Sequence, residues 1–212
     1  MIKQMITASL LLTLYSVIGT GLVAYTNAAT KEQIASNEKN VLVDSIGEVL
    51  PKDSYDNDIT NDKITLTDPA NLGTQSPVTI YRARKGDTPV AAVITTEAPE
   101  GYGGAIKLLI GVNADNTLAG ARVISHAETP GLGDKIETSK GDWILKFAGK
   151  SLNDPKPESW GVKKDGGVFD QFSGATITPR AIVKSIKTTL IYFQENSGEI
   201  FSKPSDADKA KG

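Results

Sequence analysis

Hydrophobic positions crowd the first part of the chain and then change rhythm. After Lys3 no charged residue occurs before Lys31, and Met5–Thr26 reads MITASLLLTLYSVIGTGLVAYT. As a helix this stretch would extend roughly 33 Å, enough to cross a bilayer core of about 30 Å. Its Ser and Thr hydroxyls can bond back to helix carbonyls, and Tyr25 stands where an interfacial aromatic would. A cleaved signal peptide is the rival reading, with Thr26 and Ala28 as the small residues before a cut. The apolar run is longer than the usual signal core. On either reading Lys3 and the amino terminus hold the cytoplasmic side and everything after Lys31 is exported.

Thr30-Lys31-Glu32-Gln33 has capping-box spacing. Ile34, Val41, Leu42, Ile46, Val49 and Leu50 then follow at helical intervals until Pro51 stops the helix. Residues 52–76 are rich in Asp, Asn, Thr and Pro and read as a long surface connection. The period then becomes two. Val78–Arg84, Pro89–Thr96, Ala105–Val112 and Leu118–Ser125 are short β-like runs. Lys85-Gly86-Asp87 and Ala114-Asp115-Asn116 supply turns between neighbours, which predicts an antiparallel sheet. Trp143–Phe147 could add another strand. Thr178-Pro179 predicts the last helix, with Thr178 as N-cap and Pro179 at N1. Ile182, Ile186, Leu190 and Phe193 form its apolar stripe, and Gly198 its end. The chain has no internal repeat. The expected organisation is a cytoplasmic N-terminus and transmembrane helix at 1–30, a stalk helix and polar connection at 31–76, an α+β domain with packed helices at 77–198 and a disordered tail at 199–212.

Composition narrows the chemistry. Lys and Arg number 23 against 25 Asp and Glu, a net charge of -2, so no strong positive field marks a dedicated nucleic-acid binder. The absence of cysteine excludes disulfides, Cys-ligated zinc, iron–sulfur clusters and cysteine catalysis. The single histidine, His126, rules out a multi-His metal site, and no metal site is expected. What remains are hydroxyls, carboxylates, backbone donors or a bound cofactor.

Three local features could carry that chemistry. Gly101-Tyr102-Gly103-Gly104, directly before a strand, allows unusual dihedrals or close backbone approach to a ligand. His126-Ala127-Glu128-Thr129-Pro130-Gly131-Leu132-Gly133 predicts a tight loop with exposed backbone N–H groups, suited to an acceptor-rich flat ring. In Asp170-Gln171-Phe172-Ser173-Gly174-Ala175-Thr176, the small residues Gly174 and Ala175 expose the hydroxyls of Ser173 and Thr176. A helix start just beyond them favours a phosphate. No Gly-Lys-Ser/Thr makes this a Walker loop, and no Gly-x-Ser-x-Gly makes it a nucleophile elbow. Taken alone, the three read more simply as a flexible strand joint, a plain loop with a strand-end histidine and a hydroxyl-rich helix start.

DQFSGAT resembles the D-x-x-S-G-A-T signature of the FMN-binding domain, in which FMN is esterified through its phosphate to the last threonine, here Thr176. The run GYGGAIKLLIGVNADNTLAGARVISHAETPGLGDKIE is similar to the G-subunit family of the Rnf electron-transport complexes, called Rsx in some bacteria. The C-subunit family of the sodium-pumping NADH:quinone reductases is a sister family that shares the SGAT and ETPG elements. The compact length and the HAETPGLGDKIE run favour the Rnf family.

The resemblance implies a bacterial inner-membrane flavoprotein with a single span and its FMN domain on the periplasmic side. Such a protein relays electrons through covalent FMN and has no catalytic residue of its own. Thr176 would carry the FMN. Ser173, Gly174 and Ala175 would form the phosphate turn, with N–H groups near Ile177 and Thr178. Glu128, Thr129 and Leu132 would line the ring, and Tyr102, Trp143 and Phe172 are candidates to stack on it, though each could equally be core. Implied partners are the other membrane and iron–sulfur subunits of an Rnf-type complex, membrane lipid, and an exported flavin transferase that uses FAD and magnesium. Two other readings stay open. One is an anchored sensor or ligand-binding module without covalent flavin; the other is an exported hydrolase with His126 as base.

Overall fold

The four runs of alternating residues become four of the five strands of one antiparallel sheet in the computed structural model, which describes residues 2–209. The chain divides into two units, residues 1–42 and 43–212. The first is helical and holds most of α1 (Ile2–Val49). Within it, Gln4–Thr26 is long and apolar enough to cross a membrane. The Thr26 hydroxyl donates to the Leu22 carbonyl at 2.9 Å, the back-bonding that makes such residues tolerable in a span.

No second helix starts at Thr30. α1 continues without a break, and the Thr30 hydroxyl donates to the carbonyl of Thr26 at 2.8 Å instead of capping a new turn. The residues before Thr30 are already helical, so the amides a cap would satisfy have helix partners. The side chains of Lys3 and of residues 31–39, and with them Ile34 and the rest of the capping box, lie outside the described ones. The helix ends at Val49, just before Pro51.

In the second unit the strands are β1 (Lys63–Leu66), β2 (Val78–Lys85), β3 (Thr88–Ala98), β4 (Ile106–Asn113) and β5 (Leu118–Ser125), in that order across the sheet. Register places Ile64, Ile80, Ile94, Ile110 and Ala121 in one row over all five strands. On this face lies α3 (Ile177–Ser202), whose Ile182, Ile186, Leu190 and Phe193 are buried in the same core. The opposite face is buried as well, through Tyr81, Ala83, Ala91, Val93 and Leu109. There the end of α1 settles on Gly111 and Gly120, which pair across β4 and β5. A Cβ on either would meet the Val49 carbonyl oxygen at 3.3–3.4 Å, so glycine is what lets the helix end approach. Arg122 fixes it by donating from Nη2 to the Glu48 carbonyl at 2.8 Å, a cation at a helix C-terminus.

Four expectations are corrected. The stretch 52–76 is more than a connection, since Lys63–Leu66 pairs with β2 as the sheet edge and Pro69–Leu72 forms a helical turn, α2. Trp143–Phe147 is a 3-10 turn, not a strand: Trp143, Ile144 and Phe147 are buried while Leu145 faces solvent, a helical rather than an alternating pattern. α3 starts before the predicted point. Thr176 is its N-cap and Pro179 falls at its third position, where the missing N–H is still harmless. Gly198 does not end α3, which runs on to Ser202 and is followed by α4 (Asp206–Lys209). Of the tail expected to be disordered, Ala210–Gly212 lie outside the described residues.

The extension past Gly198 has a cause in β2. Arg82 donates from Nη1 to the carbonyls of Ile200 (2.9 Å) and Lys203 (2.5 Å), and Arg84 donates from Nη2 to that of Phe201 (2.7 Å). Asp62 holds both arginines, accepting from Arg82 Nε at 2.7 Å and from Arg84 Nε at 2.8 Å. These charge-assisted bonds at the helix C-terminus outweigh the roughly 1 kcal/mol that a mid-helix glycine costs.

Candidate functional site

Three loops meet at the start of α3: Gly101–Gly104 before β4, Thr129–Gly133 after β5, and the Phe172–Ala175 turn that feeds the helix. Between them opens a cleft of about 590 Å³ lined by Tyr102, Glu128, Thr129, Leu132, Gly133, Lys164 and the run Gly174–Thr178. That volume is typical of small-molecule and cofactor sites. Six of the seven residues predicted for the site are in this lining. The seventh, Ser173, sits exposed in the turn itself and does not line the cleft.

Each loop has a local reason for its shape. The Ala175 N–H donates to the Phe172 carbonyl at 3.1 Å and closes a tight turn. Its third residue, Gly174, has φ +79°, a value at which a Cβ would be strained. Beneath the turn is an aromatic floor. Trp143 packs edge-on against Phe172 at 5.3 Å and against Phe147 at 5.2 Å, and Phe147 stacks on Phe169 at 4.5 Å. Trp143 Nε1 donates to the Asp170 carbonyl at 2.8 Å. Trp143 and Phe172 are therefore core residues holding the turn from below, not ring-stacking ones. Tyr102, 70% exposed and in the lining, is the aromatic candidate that reaches the cleft.

The Thr129–Gly133 loop is folded on itself. Both the Leu132 and Gly133 amides donate to the Thr129 carbonyl, at 3.1 and 3.0 Å. Two of the amide donors expected to be exposed from its sequence are therefore consumed internally, and the side chains of Thr129 and Leu132 contribute to the cleft wall. His126 is occupied too. Its Nδ1 accepts the Glu128 N–H at 3.0 Å, which leaves Nε2 to donate to Glu137 Oε1 at 2.9 Å. The bond from Ser139 and that from His126 hold the Glu137 carboxyl below its ordinary range. With both ring nitrogens bonded, His126 is a brace and not a free base.

The helix start is the polar end of the cleft. The amides of its first turn have no intrahelical acceptors, and no side chain caps them. Thr176, the N-cap, has helical backbone angles (φ -70°, ψ -28°), and its hydroxyl makes no capping bond. Thr178 behaves differently: it is fully buried and donates its hydroxyl to Glu128 Oε2. The lining's single cationic side chain is Lys164, which carries no signal in the sequence because it sits in a lysine-rich turn with no motif around it. That turn is clamped to α3 by Arg180, whose Nε and Nη2 donate to the two carboxylate oxygens of Asp165 at 2.6 and 2.8 Å. The Arg180 guanidinium keeps the Asp165 carboxyl below the usual carboxylate range. At the head of the motif the Lys163 ammonium, 2.5 Å away, does the same for Asp170.

A hydroxyl, unpaired helix-start amides and one lysine at one end of an otherwise largely apolar cleft suit a flat ring that bears a phosphate. The model of the FMN-binding domain family matches residues 101–191, a span that contains all three loops of the cleft. A second family model, the RnfG N-terminal region, matches residues 1–49. Over 201 residues the chain is 48% identical to the G subunit of the ion-translocating oxidoreductase complex of Pseudoalteromonas atlantica, covering 94% of each chain. The G subunits of the complexes of that name from Vibrio atlanticus (45% identical, covering 92% of this chain and 93% of that one) and Pseudomonas aeruginosa (44%, covering 92% and 91%) are similarly close. The chain belongs to the family of G subunits of ion-translocating oxidoreductase complexes.

Proposed function

We propose that this protein is a membrane-anchored electron relay within an ion-translocating redox complex, carrying FMN through a phosphoester to Thr176. The observation that carries this reading is the hydroxyl of Thr176. It stands at the mouth of a helix start, in the cleft, and does not serve as a cap.

The residues fit the group. The first-turn amides of α3 and Lys164 would meet the phosphate. Thr129, Leu132 and Tyr102 would face the ring. When bound, FMN supplies one- and two-electron redox chemistry; the chain holds it, orients it and sets its surroundings. Attachment transfers the FMN half of FAD. The Thr176 Oγ–P bond forms as the anhydride P–O bond breaks, AMP leaves with the electron pair, and the hydroxyl proton passes to the medium. No electron changes hands. The exported flavin transferase with magnesium catalyses this step, and the present chain is its substrate.

A covalent bond also suits the compartment expected for the domain. Even nanomolar affinity, about -12 kcal/mol, does not retain a ligand whose free concentration vanishes outside the cytoplasm. Ion movement is assigned to other subunits, because Gln4–Thr26 contains no charged residue. Spacing of small and hydroxyl residues such as Thr20 and Gly21 suits that helix to packing against them. The relatives' shared name, that of one subunit in a complex, supports assembly with such partners.

One experiment tests bond, residue and orientation together. Protease added to intact spheroplasts is expected to release a flavin-fluorescent peptide that mass mapping places at Thr176. A protected domain, or a released peptide without flavin mass, would refute the reading. The second outcome would favour a reversible ligand-binding module.

A further inference from the structure

Glu128 lines the cleft, yet both of its carboxylate oxygens are taken by protein. Oε1 accepts the Gly103 N–H at 3.0 Å, and Oε2 accepts the Thr178 hydroxyl. The side chain thus touches all three parts of the site: it belongs to the loop after β5, it holds the glycine loop before β4, and it holds the first turn of α3. It is only 5% exposed, and its own amide is fixed by His126. A buried carboxylate keeps its charge at a cost unless donors surround it, so this placement is specific.

Glycines clear the space around it. A Cβ at Gly101 would lie 2.8 Å from Glu128 Oε1, and one at Gly133 would lie 2.8 Å from Oε2 and 2.9 Å from the Glu128 Cβ. One at Gly103 would collide with the Ala127 carbonyl oxygen at 2.0 Å. The glycines of two loops therefore serve the approach of backbone to this carboxylate. That use differs from the close approach of backbone to a ligand.

We infer that Glu128 is the positioning residue for flavin attachment, acting through Thr178 and Gly103. Thr178 lies two residues beyond Thr176 on the same helical turn, so the bond to Glu128 fixes where the Thr176 hydroxyl and the first-turn amides stand relative to the other two cleft loops. The group that lines the ring side thereby sets the geometry at the phosphate end. This inference rests on the reading of Thr176 as the attachment site.

The test is the kinetics of transfer to the full-length apoprotein in detergent, with the flavin transferase, FAD and magnesium, read as flavin covalently incorporated. Four variants are compared. Glu128→Ala removes both bonds, and Thr178→Val removes one while keeping the buried shape. Glu128→Gln keeps an acceptor for Gly103 and can donate to a rotated Thr178 hydroxyl, and Thr178→Ser keeps the donor. Misplacing a reacting group by about 1 Å costs on the order of a hundredfold in rate. Glu128→Ala and Thr178→Val are therefore expected to lower kcat for transfer about that much, with the KM for FAD little changed and the flavin still mapping to Thr176. Glu128→Gln and Thr178→Ser should restore the rate.

Wild-type rates in Thr178→Val, or a Glu128→Gln rate as low as that of Glu128→Ala, would overturn the inference. Thermal unfolding of each apoprotein accompanies the rates, and if Glu128→Ala does not fold, the Thr178→Val and Thr178→Ser pair decides. Wild-type protein that takes up no flavin at all would instead refute the attachment reading, a result separate from any difference among variants.

Discussion

Thr176→Ala is expected to abolish covalent flavin altogether while leaving the domain folded. Three hydroxyls compete within six residues, and the structure separates them. Ser173 is exposed in the turn and outside the cleft lining. Thr178 is fully buried and already donates to Glu128. Thr176 lines the cleft, half-buried, with its hydroxyl unused by the helix it begins. Removing that hydroxyl deletes the proposed nucleophile and little else, so the stability change should stay within about 0.5 kcal/mol. Ser173→Ala should slow attachment slightly without moving its site. Flavin fluorescence in a denaturing gel, backed by peptide mass mapping in cells that express the transferase, reads both results. Full fluorescence in Thr176→Ala, with the flavin found on another residue, would sink the assignment.

The same comparison of hydroxyls marks what a sequence can reveal. The strands β2 to β5 are legible because each is an apolar-rich run of eight or more residues and Gly86 and Asn116 sit at the turns with positive φ. β1 is not, because four residues in an Asp- and Thr-rich stretch carry too little pattern, and the edge position asks for burial of Ile64 alone. The SGAT and ETPGLG motifs mark two of the loops that meet at the cleft. Their internal wiring stays hidden, since nothing local says that the Thr129 carbonyl takes two amides or that Thr178 pairs with a carboxylate 50 residues earlier. The available signal was the recurrence of glycine at 101, 103 and 133. It reads as loop flexibility until the carboxylate between them is seen. Likewise the end of α3 follows a rule that Gly198 alone suggests wrongly, because the deciding residues lie on another strand.

Those residues give the second large effect: Arg82→Met is expected to destabilise the domain by about 3–5 kcal/mol. The Arg82 guanidinium is almost completely buried, forks onto Asp62, and donates to two carbonyls at the end of α3. Methionine fills similar space but supplies no donor. The Asp62 carboxylate would keep its bond to Arg84 and a longer one, 3.4 Å, from Asn57 Nδ2, and the carbonyls of Ile200 and Lys203 would lose the Arg82 donor. Removing one partner of a buried pair leaves the other partner's desolvation uncompensated, which is why the cost exceeds that of a surface ion pair. Arg82→Lys should recover only part of it, since an ammonium cannot fork across a carboxylate and two carbonyls in one plane. Set against the roughly 5–15 kcal/mol typical of a domain, the loss is large. Urea unfolding followed through Trp143 and Trp160 should show a lower midpoint at an unchanged m-value. The arginine clasp and the cleft stand at opposite ends of α3, whose 26 residues extend roughly 39 Å. Below its unfolding transition Arg82→Met should therefore accept flavin at Thr176 as fast as the wild type, and a loss under about 1 kcal/mol or a slowed attachment in the folded protein would show that the clasp has been misread.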